Sequence, residues 1–291
     1  MGGHHAACGA AAWIALTSHA ELPLTALRGA LPWLPDSVAL GAGLIDASPV
    51  AVVMGALVCA GAALLPDADH HNATIAHALP PFSTWLARGI GRLSGGHRHG
   101  THSLLGILVF TLLSAVPQVF LWVLDAGRLA APSWLAFAVA HLWPALCSVV
   151  LVAFAAKVLR FLPDGARKFP WVLGGAAGVL VAASSPADTW WFPLAVGVGV
   201  VVHLVGDLLT VGGVNLVWPL VLHAPRAVGH VPVLRHVWLR SGHVSLPLLG
   251  EAGSVREWLL LVPVSLYAVI GMTAGVVASA SAGLALWSAP L

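Results

Sequence analysis

Charged residues are scarce in this sequence. Lys, Arg, Asp and Glu together make up 8% of its 291 residues, against roughly 25% in an average soluble domain. The chain is 59% hydrophobic, and its mean hydropathy is +0.91. A chain of this composition cannot present a soluble surface along its length, so we expect one polytopic membrane domain over residues 1–291.

Cysteine is also rare, and the motifs of several enzyme classes are missing. Cys8, Cys59 and Cys147 lie far apart without a CxxC or Cys/His spacing, which argues against a disulfide framework or a zinc ribbon. The sequence contains no Walker loop, GxGxxG fingerprint or GxSxG nucleophile elbow. It also lacks the interleaved basic and aromatic residues of a nucleic-acid surface. These absences disfavour nucleotide-driven pumping, serine hydrolysis and a nucleic-acid partner.

The first apolar segment has no Lys or Arg ahead of it, and residues 1–6 lack the Ser or Thr of a myristoylation signal. A secretory signal would carry a basic stretch before its apolar region. We therefore expect the first helix to be retained and not lipidated.

Seven apolar segments approach the ~20 residues that cross a bilayer as a helix. The first and fifth are short and rich in Ala and Gly, so each is expected to cross fully, to re-enter, or to pack inside the bundle. The expected fold class is all-α, with about six to seven transmembrane helices. The spacings Gly174-xxx-Gly178 and Gly271-xxx-Gly275 predict close approaches between helices. The segments are 5–20, 49–65, 103–124, 134–156, 171–187, 189–209 and 258–281.

The basic residues are distributed unevenly between the loops. Eleven of the thirteen fall in the alternate loops 66–102, 157–170 and 210–257, leaving Arg28 and Arg128 for the other side. Because Lys and Arg near helix ends stay in the cytoplasm, seven spans predict a cytoplasmic N-terminus and an external C-terminus. The eleven are Arg88, Arg92, Arg98, Lys157, Arg160, Arg167, Lys168, Arg226, Arg235, Arg240 and Arg256. The first three could form a phosphate-binding surface, although positive-inside bias explains them equally well.

Carboxylates and imidazoles are concentrated in the 66–102 loop. Asp67 and Asp69 end an apolar segment, and His70 follows directly. Two close carboxylates repel each other unless a cation lies between them or one binds a proton. A divalent metal is therefore predicted, with an exposed Asp pair in a turn as the alternative. Thr101 is the predicted N-cap of the third segment and places His102 near the helix start. The same loop contains four more histidines: His71, His77, His97 and His99.

His203 and Asp207 are the ionisable residues of the sixth apolar segment. Their spacing places both on one helix face, where they could share a metal or act as a ligand and its supporting partner. Ionisable groups inside a span usually face a cavity and have a function. A His–Asp pair that satisfies itself in a polar helix contact is the structural alternative.

Several motifs together resemble the bacterial family of LexA-regulated, membrane-bound, metal-dependent hydrolases (YdjM-like). They are an N-terminal histidine (His5 rather than His4), residues 64–70, 97–105, 203–210 and 213–219, and a late acidic position in 253–257. The second block departs from the family pattern because His99 is inserted between Arg98 and Gly100. The resemblance places a motif core in 1–124 and 189–257, with extra spans in 125–188.

The resemblance implies a hydrolase of the inner membrane, connected with the DNA-damage response, whose metal site faces the cytoplasm. The implied metal ligands are His5, Asp67, Asp69, His70, His102, His203 and Asp207. Asp69 or His70 is the candidate to accept a proton from the attacking water, and Arg98 the candidate to steady an anionic leaving group. A weaker similarity to the ligand order of zinc-dependent phospholipase C and P1 nuclease favours Zn, with Mn or Fe as alternatives. It also favours a phosphoester substrate, such as a phospholipid headgroup.

Two other classes of protein stay open. One is a metal-ion or small-solute transporter in which His203 and Asp207 line the path, and the other is a non-catalytic membrane scaffold with a structural metal. The polar residues cluster at one membrane face without a matching repeat at the other, which disfavours transport. The sequence does not reveal the substrate, the metal, the number of metal ions or the oligomeric state.

Overall fold

The computed structural model describes residues 2–70, 72–77, 81–125, 132–159, 162, 164–183 and 190–288. His71, Arg128 and Arg160 lie outside these residues, as does the junction between the fifth and sixth predicted segments. The described helices are α1 (Gly2–Thr17), α2 (Pro49–Ala62), α3 (Phe82–Leu93), α4 (Leu104–Asp125), α5 (Ser133–Val158), α6 (Asp164–Lys168), α7 (Pro170–Ala183), α8 (Trp191–Leu208), α9 (Leu234–Val237) and α10 (Val255–Ser288).

All seven predicted apolar segments form helices, which confirms the all-α fold class. Among the described residues, five helices are long and apolar enough to cross a membrane: Pro49–Asp69, Leu104–Leu124, Ser133–Val158, Trp191–Leu208 and Val255–Ser281. The first and fifth segments are short as predicted, since α1 has 16 residues and α7 has 14. How many helices cross the membrane completely stays a prediction.

A small ribbon in the connection between α1 and α2 departs from the helical pattern. Its strands are β1 (Glu21–Pro23) and β2 (Ser37–Ala39), which pair antiparallel with Leu22 opposite Val38. Both strands are three residues long, so the ribbon does not change the fold class.

The central helix is α2, whose residues from Ala51 to Ala62 are all buried. Glycine lets its neighbours approach closely. A Cβ atom on Gly9 of α1 would lie 2.8 Å from the carbonyl oxygen of Cys59, and one on Gly199 of α8 would lie 2.5 Å from it. Helices α1, α2 and α8 therefore pack backbone against backbone, which fixes the positions of their ends relative to one another.

The predicted small-residue spacings lie at helix contacts. A Cβ atom on Gly174 of α7 would lie 2.3 Å from the carbonyl oxygen of Val149 in α5. One on Gly271 of α10 would lie 2.5 Å from Cγ2 of Ile14 in α1. The predicted close approaches are therefore confirmed.

The path of the chain brings four helix ends together. Helix α1 starts, α2 ends, α4 starts and α8 ends at the same end of the bundle, where their polar side chains are in contact. Two single turns of 3-10 helix, Pro66–Asp69 after α2 and Gly100–His102 before α4, carry several of these side chains. The candidate site lies at this end.

Candidate metal centre

Ser103 fixes the start of α4 next to the site. Its Oγ accepts a hydrogen bond from the backbone N–H of Gly106 at 3.1 Å and donates one to the carbonyl oxygen of Gly100 at 2.6 Å. Ser103 is therefore the N-cap of α4, and the predicted cap at Thr101 is wrong. The hydroxyl of Thr101 is directed at Asp69 instead.

His203 lies fully buried in α8, and the end of α2 holds its ring in place. Its Nδ1 is 2.7 Å from the carbonyl oxygen of Ala63, one of the last carbonyls of α2, which have no partner within the helix. Because a carbonyl can only accept, Nδ1 carries the proton, and we assign this tautomer on that ground. The neutral ring then presents an unprotonated Nε2 to the site.

His102 is also fully buried, and Thr101 sets its tautomer. The single hydroxyl proton of Thr101 is donated to Oδ2 of Asp69 at 2.5 Å. Nδ1 of His102 lies 3.0 Å from the oxygen of Thr101 and 3.4 Å from the same carboxylate oxygen, so this nitrogen is the donor towards them. In this tautomer, a neutral ring of His102 also presents an unprotonated Nε2 to the site.

Four ligand atoms converge at the site: Nε2 of His102, Nε2 of His203, Oδ1 of Asp67 and Oδ2 of Asp207. The two nitrogens are 3.1 Å apart, and each lies 3.8 Å from the oxygen of Asp67. The oxygen of Asp207 is 3.5 Å from His102 Nε2 and 3.8 Å from His203 Nε2. These separations are close to the ~3.3 Å between ligands of a tetrahedral ion bound at about 2.0–2.1 Å. Lone pairs on all four atoms repel one another unless a cation lies between them or one atom binds a proton, and the donor set fits a divalent metal.

Asp207 is held from its outer side. Its carboxylate accepts a hydrogen bond at Oδ1 from Nη2 of Arg98 at 3.2 Å, and Nε of Arg98 forms an ion pair with Oδ2 at the same distance. Arg98 also donates to Oγ1 of Thr210 at 3.3 Å. On the same side, Nε2 of His5 lies 3.5 Å from Oδ1, and its ring stacks on His203 with centroids 4.0 Å apart. Arg98 thus orients the carboxylate, and His5 is a further donor beside the four converging atoms.

Asp69 lies behind His102. Its Oδ1 is 2.8 Å from Nδ1 of His97, and its Oδ2 faces Thr101 and His102. Partial burial lowers the pKa of His97, but the hydrogen bond to Asp69 and the charges of Asp69 and Asp67 outweigh it. The pKa of His97 is therefore raised above its ordinary value. The contact of Asp69 with Nδ1 of His102 is the arrangement by which a carboxylate orients a metal-binding histidine.

Two other histidines of the loop lie further out. The ring of His70 packs against His97 with centroids 4.8 Å apart. His70 belongs to none of the three groups of close His and Asp donor atoms found in the described residues. The ring of His99 contacts that of His243 at 5.2 Å, and burial lowers the pKa of His243.

The structure thus sorts the seven predicted metal ligands by position. Five belong to two groups of close donor atoms that share His203, namely His5 with His203 and Asp207, and Asp67 with His102 and His203. Asp69 supports His102 from behind, and His70 lies outside; whether each of the seven binds a metal stays a prediction.

Several contacts left little or no signal in the sequence. The carbonyl of Ala63 is a backbone group, which no residue pattern marks. His4 and Glu257 pair at 2.7 Å between α1 and α10, and only their separate positions in the family motifs pointed to them. The pair Thr101-His102 could have indicated a hydroxyl that orients a histidine, but it also fits a helix cap.

The fold and the site define a polytopic helical membrane protein with a buried His/Asp cluster at one end that could hold a metal ion. The family described as YdjM inner membrane protein matches residues 1–278, and the chain belongs to this family. The predicted YdjM-like family is confirmed, whereas LexA regulation and hydrolase activity stay predictions. No curated protein and no solved structure matches the chain.

Proposed function

We propose that the protein is a membrane-bound, metal-dependent hydrolase that acts on a phosphoester, such as a phospholipid headgroup, at the cytoplasmic face. The observation that carries this proposal is the convergence of two histidine nitrogens and two aspartate oxygens at one end of the helix bundle. Asp67, His102, His203 and Asp207 would hold the cation, with Zn favoured and Mn or Fe as alternatives. A divalent cation there would lower the pKa of a coordinated water to near 7 and polarise a phosphoryl oxygen.

Exposure identifies the open side of the site. The side chains of His102, His203 and Asp207 are at most 3% exposed, whereas that of Asp67 is 25% exposed and that of His97 is 37% exposed. Water and substrate would therefore approach past Asp67 and His97. On the opposite side, α1, α2 and α8 pack together and bury His203 and Asp207.

The Asp69–His97 pair is the group best placed to take a proton. Both oxygens of Asp69 already accept hydrogen bonds, so this carboxylate is poorly placed to accept another proton directly. It holds Nδ1–H of His97, which leaves Nε2 of His97 as the acceptor atom on the open side. His70, whose ring lies against His97, is the other candidate. Arg98 is engaged by Asp207, so its role is to hold that ligand rather than to steady a leaving group.

Elemental analysis of the detergent-purified protein is the first test. The His203→Ala/Asp207→Ala double variant should lose the divalent metal that the wild type retains. His141→Ala, in α5, is the matched control because its Nδ1 contacts the carbonyl oxygen of Ala182 and not the cluster. Metal absent from the wild type and the double variant alike would end the proposal of a metal centre.

A phosphoester screen on the same preparations tests the chemistry. We expect turnover in the wild type and the His141→Ala variant, and none in the double variant. A bound metal without turnover, together with ion flux across sealed vesicles, would support a transporter instead. A bound metal with neither turnover nor flux would support a structural role.

A further inference from the structure

Helix α3 lies against the metal centre on one side. A Cβ atom on Gly91 would lie 2.7 Å from the carbonyl oxygen of Asp69, so α3 touches the backbone of the 3-10 turn that carries the two aspartates. At the start of α3, the hydroxyls of Ser83 and Thr84 donate to the carbonyl oxygen of Ala76 at 2.9 and 3.0 Å. These contacts fix α3 relative to the site.

The opposite side of α3 is apolar and largely exposed. Trp85, Leu86 and Leu93 are 61%, 66% and 82% exposed. At 3.6 residues per turn, these three side chains fall within about 100° of the helix surface. We refer to Trp85, Leu86 and Leu93 as the apolar sector.

Two arginines border the apolar sector. Arg88 and Arg92 are both exposed and lie within about 60° of Trp85 around the helix. Unlike Arg98, which is bound to Asp207, neither has a carboxylate partner among the described residues within salt-bridge distance. We refer to Arg88 and Arg92 as the arginine flank.

The surface beyond the apolar sector is also apolar. Leu86 and Ile90 line a cavity of about 480 Å³ together with Phe110 of α4 and Phe154 of α5. Helix α4, which is long enough to cross the membrane, continues this surface with Leu113, which is 56% exposed. On its other face, Leu112 is 54% exposed. Hydrocarbon that covers α4 would therefore also reach the apolar sector.

We propose that α3 is an interfacial helix that binds anionic phospholipid. It lies in the headgroup region of the leaflet on the side of the metal centre, with its apolar sector in the acyl boundary. Its arginine flank pairs with lipid phosphates, because guanidinium groups match phosphate geometry. Since α3 contacts the backbone of Asp69, the metal centre lies at headgroup depth. The proposal holds whether or not the site hydrolyses anything.

Labels at single cysteines test the position of α3. In a background in which Cys8, Cys59 and Cys147 are replaced by alanine, Leu93→Cys is labelled with an environment-sensitive fluorophore. The labelled protein is placed in vesicles that contain lipids with a spin label near the top of the acyl chain, which quenches nearby fluorophores. Leu112→Cys in α4 is the reference inside the membrane, and Glu251→Cys, in an exposed loop, is the aqueous reference. We expect the label at 93 to be quenched, as at 112, and the label at 251 to fluoresce as in water.

Two results of this experiment would overturn the proposal. A label at 93 that resembles the label at 251 would place α3 in water. A label at 93 in an apolar environment that lipid spin labels do not quench would show that protein covers the apolar sector. A monodisperse elution profile and an unchanged melting temperature show that the labelled variants are folded.

Lipid retention tests the arginine flank. Native mass spectrometry compares phosphatidylglycerol with phosphatidylcholine bound to the purified protein. Arg88→Gln/Arg92→Gln should lower the preference for phosphatidylglycerol by roughly five-fold for each arginine, the effect of one basic residue beside an anionic membrane surface. Arg226→Gln/Arg235→Gln removes the same charge from two exposed positions between α8 and α10 and should have little effect. An unchanged preference in the first variant, or an equal loss in both, would overturn anionic lipid binding by α3.

Discussion

Replacing Thr101 by valine tests the orientation of His102, on which the metal centre depends. Valine has nearly the same shape but removes the hydroxyl that donates to Asp69 at 2.5 Å and lies 3.0 Å from Nδ1 of His102. His102 would then face Asp69 directly only at 3.4 Å, which is too long for a strong hydrogen bond. Loss of such a supporting partner weakens metal binding about 10- to 100-fold. The free energy of unfolding should fall by about 1–3 kcal/mol, because a buried carboxylate oxygen loses its donor.

Competition with a chromophoric zinc chelator measures the metal affinity of the apo protein in detergent, and thermal unfolding measures its stability. The matched control is Thr17→Val in α1, since Thr17 is also fully buried and donates to the carbonyl oxygen of Trp13 at 2.8 Å. This variant should lose some stability and keep its zinc affinity. An unchanged affinity in Thr101→Val, or an equal loss of affinity in Thr17→Val, would refute the assigned hydrogen bonds.

Further predictions concern the ligands and the helices that position them. His203→Ala should weaken zinc binding by about 10²–10³-fold. This fold-change corresponds to one quarter of the ~10–16 kcal/mol with which four ligands bind a structural zinc ion. Val200→Ala, one turn earlier in α8, should only lower the melting temperature. Gly199→Ala should lower both stability and zinc affinity because its Cβ would lie 2.5 Å from the carbonyl oxygen of Cys59. Gly175 has open space around it, so Gly175→Ala should change neither stability nor zinc affinity. Zinc affinity measured against pH should fall as the solution becomes more acidic, because protons compete for the histidine nitrogens. An affinity that stays the same down to the pH at which the protein unfolds would contradict histidine ligation.

The helices of this protein follow from the sequence to different degrees. The long apolar runs predict the spanning helices because a bilayer requires each span to form its own backbone hydrogen bonds. Helix α3 was not predicted, although its signal is present. Trp85, Leu86 and Leu93 recur at helical spacing, and the exposed arginines Arg88 and Arg92 lie between them in the sequence. The polar residues around it made 66–102 resemble a plain loop.

The site was predictable in its residue types but not in its arrangement. The spacing of His203 and Asp207 places both on one helix face, and the structure brings both to the cluster. Which of Asp67 and Asp69 faces the centre depends on the direction of a single 3-10 turn, which sequence spacing does not determine. In the structure Asp67 faces the histidine Nε2 atoms, and Asp69 contacts the opposite edge of His102.

The charges around the cluster bear on the number of metal ions, which the sequence left open. Among the described residues, Arg98 is the arginine that pairs with the carboxylates Asp67, Asp69 and Asp207, so the cluster has a net charge of −2 when its histidines are neutral. Net charge is costly to bury in a membrane protein, and a single divalent cation would neutralise it. A second ion would add two uncompensated positive charges close to Arg98, which already engages both oxygens of Asp207. We therefore expect elemental analysis to give one divalent metal per chain, and a ratio of two that persists after dialysis would contradict this charge balance.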